Sequence, residues 1–279
     1  MDYTIAYYNG RFGYAKDIKI PLSDRSIYFG DAVYDAALCL DGRIYLVEEH
    51  IDRFLANAAR LKISHSYAKR DIKDILENCL KMAGNGVFFM YFQLSRNAPE
   101  RKHDYTHSDG ANFLVTVSKT EMPNPKKCIS LITCEDTRHL HCDIKTVNLL
   151  VSVMASTDAA LADADEAVFH RGDTVTECAH SNISIIKDEI LYTHPLPPLI
   201  LPGITRRHLL ICCDELGIKY IERPFTLSEL FSADEILVSS TTKLCVRGTR
   251  IDGVPFGNKN PQISMLLCNR IFDKFVHFN

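Results

Sequence analysis

Residues 142–150 read Cys142-Asp143-Ile144-Lys145-Thr146-Val147-Asn148-Leu149-Leu150, a single lysine set in a largely apolar stretch. A lysine pressed against a core helix has its ammonium form destabilised, which favours carbonyl condensation chemistry. Taken alone, the segment fits an ordinary lysine at a strand end, its stem packed and its head in water, because lysines usually reach solvent. The surrounding segments change that balance. Val175-Thr176-Glu177 is followed by Ser181-Asn182, and Pro202-Gly203-Ile204-Thr205-Arg206 opens a helix. Ser240-Thr241-Thr242 follows an apolar strand, and His50-Ile51-Asp52-Arg53 lies on a helix upstream.

Composition narrows the classes. The chain has 279 residues, 46% hydrophobic and 24% charged, which is the profile of a globular protein rather than a disordered one. A net charge of -3 gives no basic excess for nucleic acid. Met1-Asp2-Tyr3-Thr4 has neither a basic nor an apolar signal-like run, and Val87 to Phe92 is far short of the roughly 20 residues that span a bilayer. The expected location is cytoplasmic, with no membrane partner. Ten cysteines are scattered without a CxxC pair and read as reduced, mostly buried residues. His139-Leu140-His141-Cys142 lacks a second ligand pair at zinc-site spacing, so no metal is expected. GxSxG, Walker, HExxH and GxGxxG signatures are absent.

Apolar residues recur at helical spacing at Ile51, Leu55, Ala58 and Leu61, and again at Ile72, Ile75, Leu76, Cys79 and Leu80. Gly84-Asn85-Gly86 suits a left-handed cap to the second helix. Strands are predicted over 87–94, 113–117 and 129–134, and a helix over 149–162. A hairpin is predicted around Lys187-Asp188-Glu189, and a helix over 204–216 closed by Gly217. A strand over 235–239 and a closing helix over 263–275 complete the chain. Pro123-Asn124-Pro125 breaks both helix and ladder, so a boundary is placed there, giving domains 1–122 and 123–279. The mixture predicts an α+β or mixed α/β fold.

In order and spacing, these segments resemble the fold-type IV (class IV) family of pyridoxal-phosphate enzymes. That family includes D-amino acid and branched-chain aminotransferases and aminodeoxychorismate lyase. The resemblance runs from Asp24-Arg25 to about Asp252, and is most specific at Asp143-Ile144-Lys145 with Asn148 and at Thr176-Glu177 with Ser181-Asn182. It implies a small N-terminal α/β domain with substrate-carboxylate residues and a larger pyridoxal-phosphate-binding domain with a β-barrel-like core. It also implies roles. Lys145 would bond the cofactor and, once released, shuttle the substrate's Cα proton. Glu177 would sit at the pyridine nitrogen. The phosphate would lie at the helix opening at Ile204 and Thr205, helped by Ser240 and Thr241, with Arg53 as counter-charge.

Substrate class turns on the first domain. Tyr91-Phe92-Gln93-Leu94 leads through Arg96 to Arg101-Lys102-His103, which resembles the strand and Arg-x-His loop of D-amino acid aminotransferases. There Arg101 and His103, with Tyr34 from an earlier strand and Tyr91 nearby, would bind the substrate α-carboxylate. In the family the neighbouring subunit contributes this loop, so a homodimer is implied. Departures from the pattern are Glu100 and Asp104, expected to compete for Arg101, and Ala179-His180 in place of a serine-rich turn. Lys243 and Arg247 are further departures, and either is expected to supply a second anion site for dicarboxylates. The resemblance implies amino transfer from a D-amino acid such as D-alanine to a 2-oxo acid such as 2-oxoglutarate. A branched-chain L-aminotransferase or aminodeoxychorismate lyase would share Lys145 and Glu177. A silent binding scaffold is disfavoured by the intact Lys145, Glu177 and Arg53.

Overall fold

A computed structural model describes residues 4–98, 100–196 and 198–278 of the chain; the opening Met1, Asp2 and Tyr3, read above for signal character, lie outside them. Its contacts divide the chain into two units: residues up to Met122 together with Ile144–Asn148, and Pro123–Asp143 together with Leu149 onward. The sequence placed the boundary at a single point. The structure instead groups the Lys145 segment with the first unit, because residues 144–148 run along a strand of that unit and bond to it.

The first unit is one antiparallel sheet with helices. In chain order it comprises β1 (Ile5–Tyr8), β2 (Arg11–Tyr14), a 3-10 turn, α1 (Arg25–Phe29), β3 (Ala32–Leu40) and β4 (Arg43–Ile44), followed by α2 (Val47–Arg60), α3 (Lys69–Ala83), β5 (Val87–Arg96) and β6 (Ala111–Lys119). The sheet order is β2-β1-β6-β5-β3-β4. The helical spacing read from sequence produces the buried faces, with Ile51, Phe54 and Ala58 on α2 and Ile72, Leu76, Cys79 and Leu80 on α3. They close over Met90, Phe92, Leu94, Phe113 and Val115 from the sheet, and Phe54 meets Phe92 edge-on at 4.9 Å. Gly84 does end α3 with a positive φ of 89°, but its ψ of -153° lies outside the left-handed helical region expected there. The chain extends at this point toward Gly86, whose N–H donates to Asp41.

The second unit is built on a mixed sheet. Its elements are β7 (Cys128–Glu135), α4 (Leu150–Leu161), β8 (Glu166–Arg171), β9 (Thr174–Cys178), β10 (Asn182–Lys187), β11 (Ile190–Thr193), α5 (Ile204–Leu216), β12 (Tyr220–Glu222) and β13 (Phe225–Thr226). They continue with α6 (Leu227–Ser232), β14 (Glu235–Ser240), β15 (Leu244–Ile251), β16 (Val254–Pro255) and α7 (Pro261–Val276). The strand path is β12-β11-β10-β14-β15-β7-β8-β9-β13, with β16 hairpinned on β15. The sheet is a curled half-barrel, the form the barrel-like core takes here. Helix α5 stops where the sequence predicts. Gly217 takes φ 68° and ψ 23°, and Ile218 N–H returns to the Cys213 carbonyl, a closure that a side chain with Cβ would resist. No helix among the described residues is long and apolar enough to cross a membrane.

Candidate active site

Lys145 is placed by strand-like bonding to β3. Its carbonyl accepts the Tyr34 N–H at 2.9 Å, and Thr146 bridges Val33 in antiparallel register. Asn148 anchors the end of the segment through its amide, which donates to the Gly30 carbonyl at 3.0 Å. Gly30 is required twice over. Its φ is 61°, and a Cβ there would lie 2.4 Å from Asn148 Oδ1. Lys145 is half-buried with its Nζ 4.2 Å from the centre of the Tyr34 ring. Tyr34 in turn stacks on Tyr91 at 5.3 Å, and the Tyr91 hydroxyl donates to Gln93 at 2.6 Å. Burial, and then Tyr34, push the Tyr91 phenol up, so it stays a neutral donor. Lys145, Tyr34 and Tyr91 therefore form one row.

Asp35, which the sequence reading passed over, is fully buried and organises this region. Arg53 grips both its oxygens, Nε to Oδ2 and Nη2 to Oδ1, each at 2.8 Å, and His50 Nδ1 lies 2.7 Å from Oδ1. Burial opposes the carboxylate, but Arg53 and His50 outweigh it and hold Asp35 well below the usual range. Burial lowers the His50 pKa, and its Nδ1 faces a carboxylate oxygen, which accepts. Arg53 is thus oriented by Asp35, and part of its charge is answered within the chain. A signal existed: an acid inside the apolar run Ala32–Leu40 must be paired if that strand is buried.

The loop bearing Arg101 and His103 is pinned through its backbone. Arg25 bonds Asp31 at 2.7 Å and donates to the carbonyls of Lys102, His103 (3.0 Å) and Asp104 (3.3 Å). The Arg101 guanidinium lies over the rings of Tyr28 and Phe29 at 5.4 and 5.1 Å, and His103 packs on Phe29 at 5.3 Å. Within one chain, then, Arg101 and His103 gather on α1, while Tyr34 gathers with Tyr91 and Lys145. The expected competition for Arg101 does not arise. Glu100 pairs with Lys102 at 2.9 Å, and Asp104 accepts from the Thr106 N–H at 3.2 Å.

In the second unit Glu177 is the penultimate residue of β9 and almost wholly buried. Its Oε1 takes Arg138 Nη1 at 2.7 Å, and its Oε2 takes the Asn182 amide at 3.0 Å and the Leu201 N–H at 3.1 Å. Arg138 is also clamped to Asp136, which accepts from Arg171 and from the Thr176 hydroxyl. Burial works against the Arg138 charge, but Asp136 and Glu177 outweigh it and raise its pKa above the ordinary value. Arg138 and Asp136 were not read from the sequence. Close by, Asn182 Oδ1 occupies the space a Cβ on Gly203 would need, at 2.0 Å, so only glycine fits before Ile204.

Helix α5 begins at Ile204 with no side-chain cap, and Ile204 and Thr205 are buried. Its first N–H groups and its dipole therefore offer an anion site. Ser240 closes β14 and its hydroxyl accepts the Lys243 N–H at 3.2 Å, while Thr241 is half-buried in the same turn. The turn ends at Leu244, a buried residue held at φ 53°, a conformation that costs a branched side chain about 1–3 kcal/mol.

Two cations expected to bind a second anion are already committed. Arg247 donates through Nε and Nη2 to buried Glu235 at 3.1 and 2.9 Å, and it borders a hollow of about 630 Å³ shared with Phe231 and Phe256. Lys243 Nζ bonds buried Glu166 at 2.8 Å. Each charge is paired with a buried carboxylate from another strand of the sheet. His139 accepts the His141 N–H at 3.1 Å, and no metal-binding group of three occurs among the described residues.

A family model described as Amino-transferase class IV matches residues 32–251. The D-alanine aminotransferase of Bacillus licheniformis is 36% identical over 258 residues, 91% of this chain and 90% of that one. The enzyme of the same name from Listeria innocua is 36% identical over 274 residues, covering 96% and 95%. Among solved structures, the branched-chain aminotransferase from the archaeon Thermoproteus uzoniensis, with norvaline, superposes with a TM-score of 0.86. It is 21% identical, with 98% of this chain and 94% of that one covered, and so speaks to the fold.

Proposed function

The chain belongs to the class IV aminotransferases, and from that premise we propose that it is a pyridoxal-phosphate-dependent enzyme moving the amino group of a D-amino acid, D-alanine first, to a 2-oxo acid such as 2-oxoglutarate. The observation that carries the reading is Glu177. A buried carboxylate fixed from three sides, beside an uncapped helix N-terminus, suits a cationic ring nitrogen and a phosphate.

When bound, the cofactor supplies an electron sink for the bond broken at the substrate's Cα. Lys145 Nζ would hold it covalently and, once released, move the substrate's Cα proton. Glu177 keeps the ring nitrogen protonated, and Arg138 keeps Glu177 in place. The N–H groups of Ile204 and Thr205 would receive the phosphate with the hydroxyls of Thr205, Ser240 and Thr241, and Arg53, aimed by Asp35, would be its counter-charge. Tyr34, backed by Tyr91, and Arg101 with His103 take the substrate carboxylate, the arginine offering two parallel donors.

The reading includes a homodimer in the cytoplasm. A homodimer is supported by the apolar stripe on α4, where Leu150 is 72% and Leu161 83% exposed and Val153 and Met154 lie between them. The ten free cysteines suit a reducing compartment.

The test is a panel of D- and L-amino acids assayed with pyruvate and 2-oxoglutarate, run beside Lys145→Ala. Turnover of D-alanine over L-leucine is expected, and the variant should retain its fold while losing at least about a thousandfold in rate. Exclusive use of L-amino acids, or normal turnover by the variant, would overturn the proposal.

A further inference from the structure

Glu166 opens β8 and is 1% exposed. Its Oε2 gathers three partners: the Ser181 hydroxyl at 2.8 Å, Lys243 Nζ at 2.8 Å and His180 Nδ1 at 2.9 Å. Oε1 is buried with no partner, so all the directed bonding of the carboxylate is spent on those three groups. Burial would push the carboxyl up, but His180 and Lys243 hold it down at about 2.

The three partners belong to two turns. His180 and Ser181 lie between Glu177 and Asn182, in the turn joining β9 to β10. Lys243 lies two residues beyond Thr241, in the turn joining β14 to β15 that ends in the left-handed Leu244. One buried oxygen therefore ties the turn of the ring-nitrogen carboxylate to the turn of the phosphate hydroxyls. A buried ion pair contributes little net stability compared with apolar residues of the same shape, so a fixed geometry is the better account of its presence.

We propose that Glu166 is a positioning residue for the cofactor, setting the spacing between the turn that follows Glu177 and the turn that carries Ser240 and Thr241. This rests on the pyridoxal-phosphate reading of the chain. A ligand that engages both turns should feel the loss of Glu166 more than one that engages the Glu177 turn alone.

The experiment titrates the apo-proteins of wild type, Glu166→Gln and Lys243→Met with pyridoxal phosphate and, separately, with pyridoxal, following visible absorbance, with thermal melts alongside. Both variants should weaken pyridoxal phosphate by about tenfold, the scale of one misplaced hydrogen bond, and pyridoxal by much less. An unchanged ratio of the two affinities, whatever the melting temperature, would reduce Glu166 to a structural ion pair and overturn the inference. Should Glu166→Gln fail to fold, Lys243→Met, which leaves His180 and Ser181 on Glu166, decides the matter by the same ratio. Wild-type apo-protein that takes up no pyridoxal phosphate would overturn the cofactor reading and this inference together.

Discussion

The loop that carries Arg101 and His103 and the turn that follows Glu177 are both irregular, yet they are held in opposite ways. In the loop the backbone is fixed. Buried Arg25 grips three successive carbonyls, while Arg101 and His103 merely rest on the faces of Tyr28 and Phe29. At the turn it is a side chain that is fixed, since Glu177 of the adjoining β9 meets Arg138, Asn182 and the Leu201 N–H. An aromatic face is a soft contact that tolerates re-aiming, whereas charge-assisted hydrogen bonds weaken steeply when bent. The difference matches the two tasks proposed for them: Glu177 would stay at one atom of a constant cofactor, and Arg101 and His103 would meet substrates of varied shape.

That contrast breaks most severely at Arg138. Arg138→Met leaves Asp136 and Glu177 buried without the cation between them, and about 3–5 kcal/mol of stability should be lost in urea unfolding. A variant as stable as wild type would mean that Glu177 is not locked as described. A smaller and different effect is expected at Arg25. Arg25→Lys frees the carbonyls of residues 102–104, so KM for the amino donor should rise about tenfold while cofactor affinity stays within about twofold. Parallel losses of both would show that loop and turn are not independent. Least is expected of Arg247 in catalysis. Because its fork is taken by Glu235, Arg247→Ala should leave the ratio of 2-oxoglutarate to pyruvate turnover unchanged, even as the protein loses stability. A shifted ratio would restore the second anion site.

Much of the fold was legible because it follows from local rules. The apolar spacing of α2, α3 and α5 and the stop at Gly217 need no knowledge of distant residues. The turn between β10 and β11 appears as Lys187-Asp188-Glu189, and Asp188 and Glu189 both take positive φ there. The residues proposed for the site were singled out only where a pattern marked them, as at Lys145 and Glu177. The buried acids Asp35, Asp136 and Glu166 escaped notice because their partners are side chains brought near by folding. Lys243, for example, lies 77 residues from Glu166. The partners of Lys243 and Arg247 were hidden for the same reason. A sequence displays a cation, but not the carboxylate that already neutralises it.

The bridge from Val33 to Thr146 bears on how the protein is made. Chain synthesis delivers β3 long before the segment that bridges to it, and twenty-one residues of the second unit, Pro123–Asp143, intervene. A nascent chain released at Met122 lacks the Ile144–Asn148 stretch that runs along β3, and with it the lysine. Domains that emerge whole can fold on the ribosome in order. Here all six strands of the first unit's sheet emerge before residue 122, and the segment bearing Lys145 joins β3 only after part of the second unit has been translated.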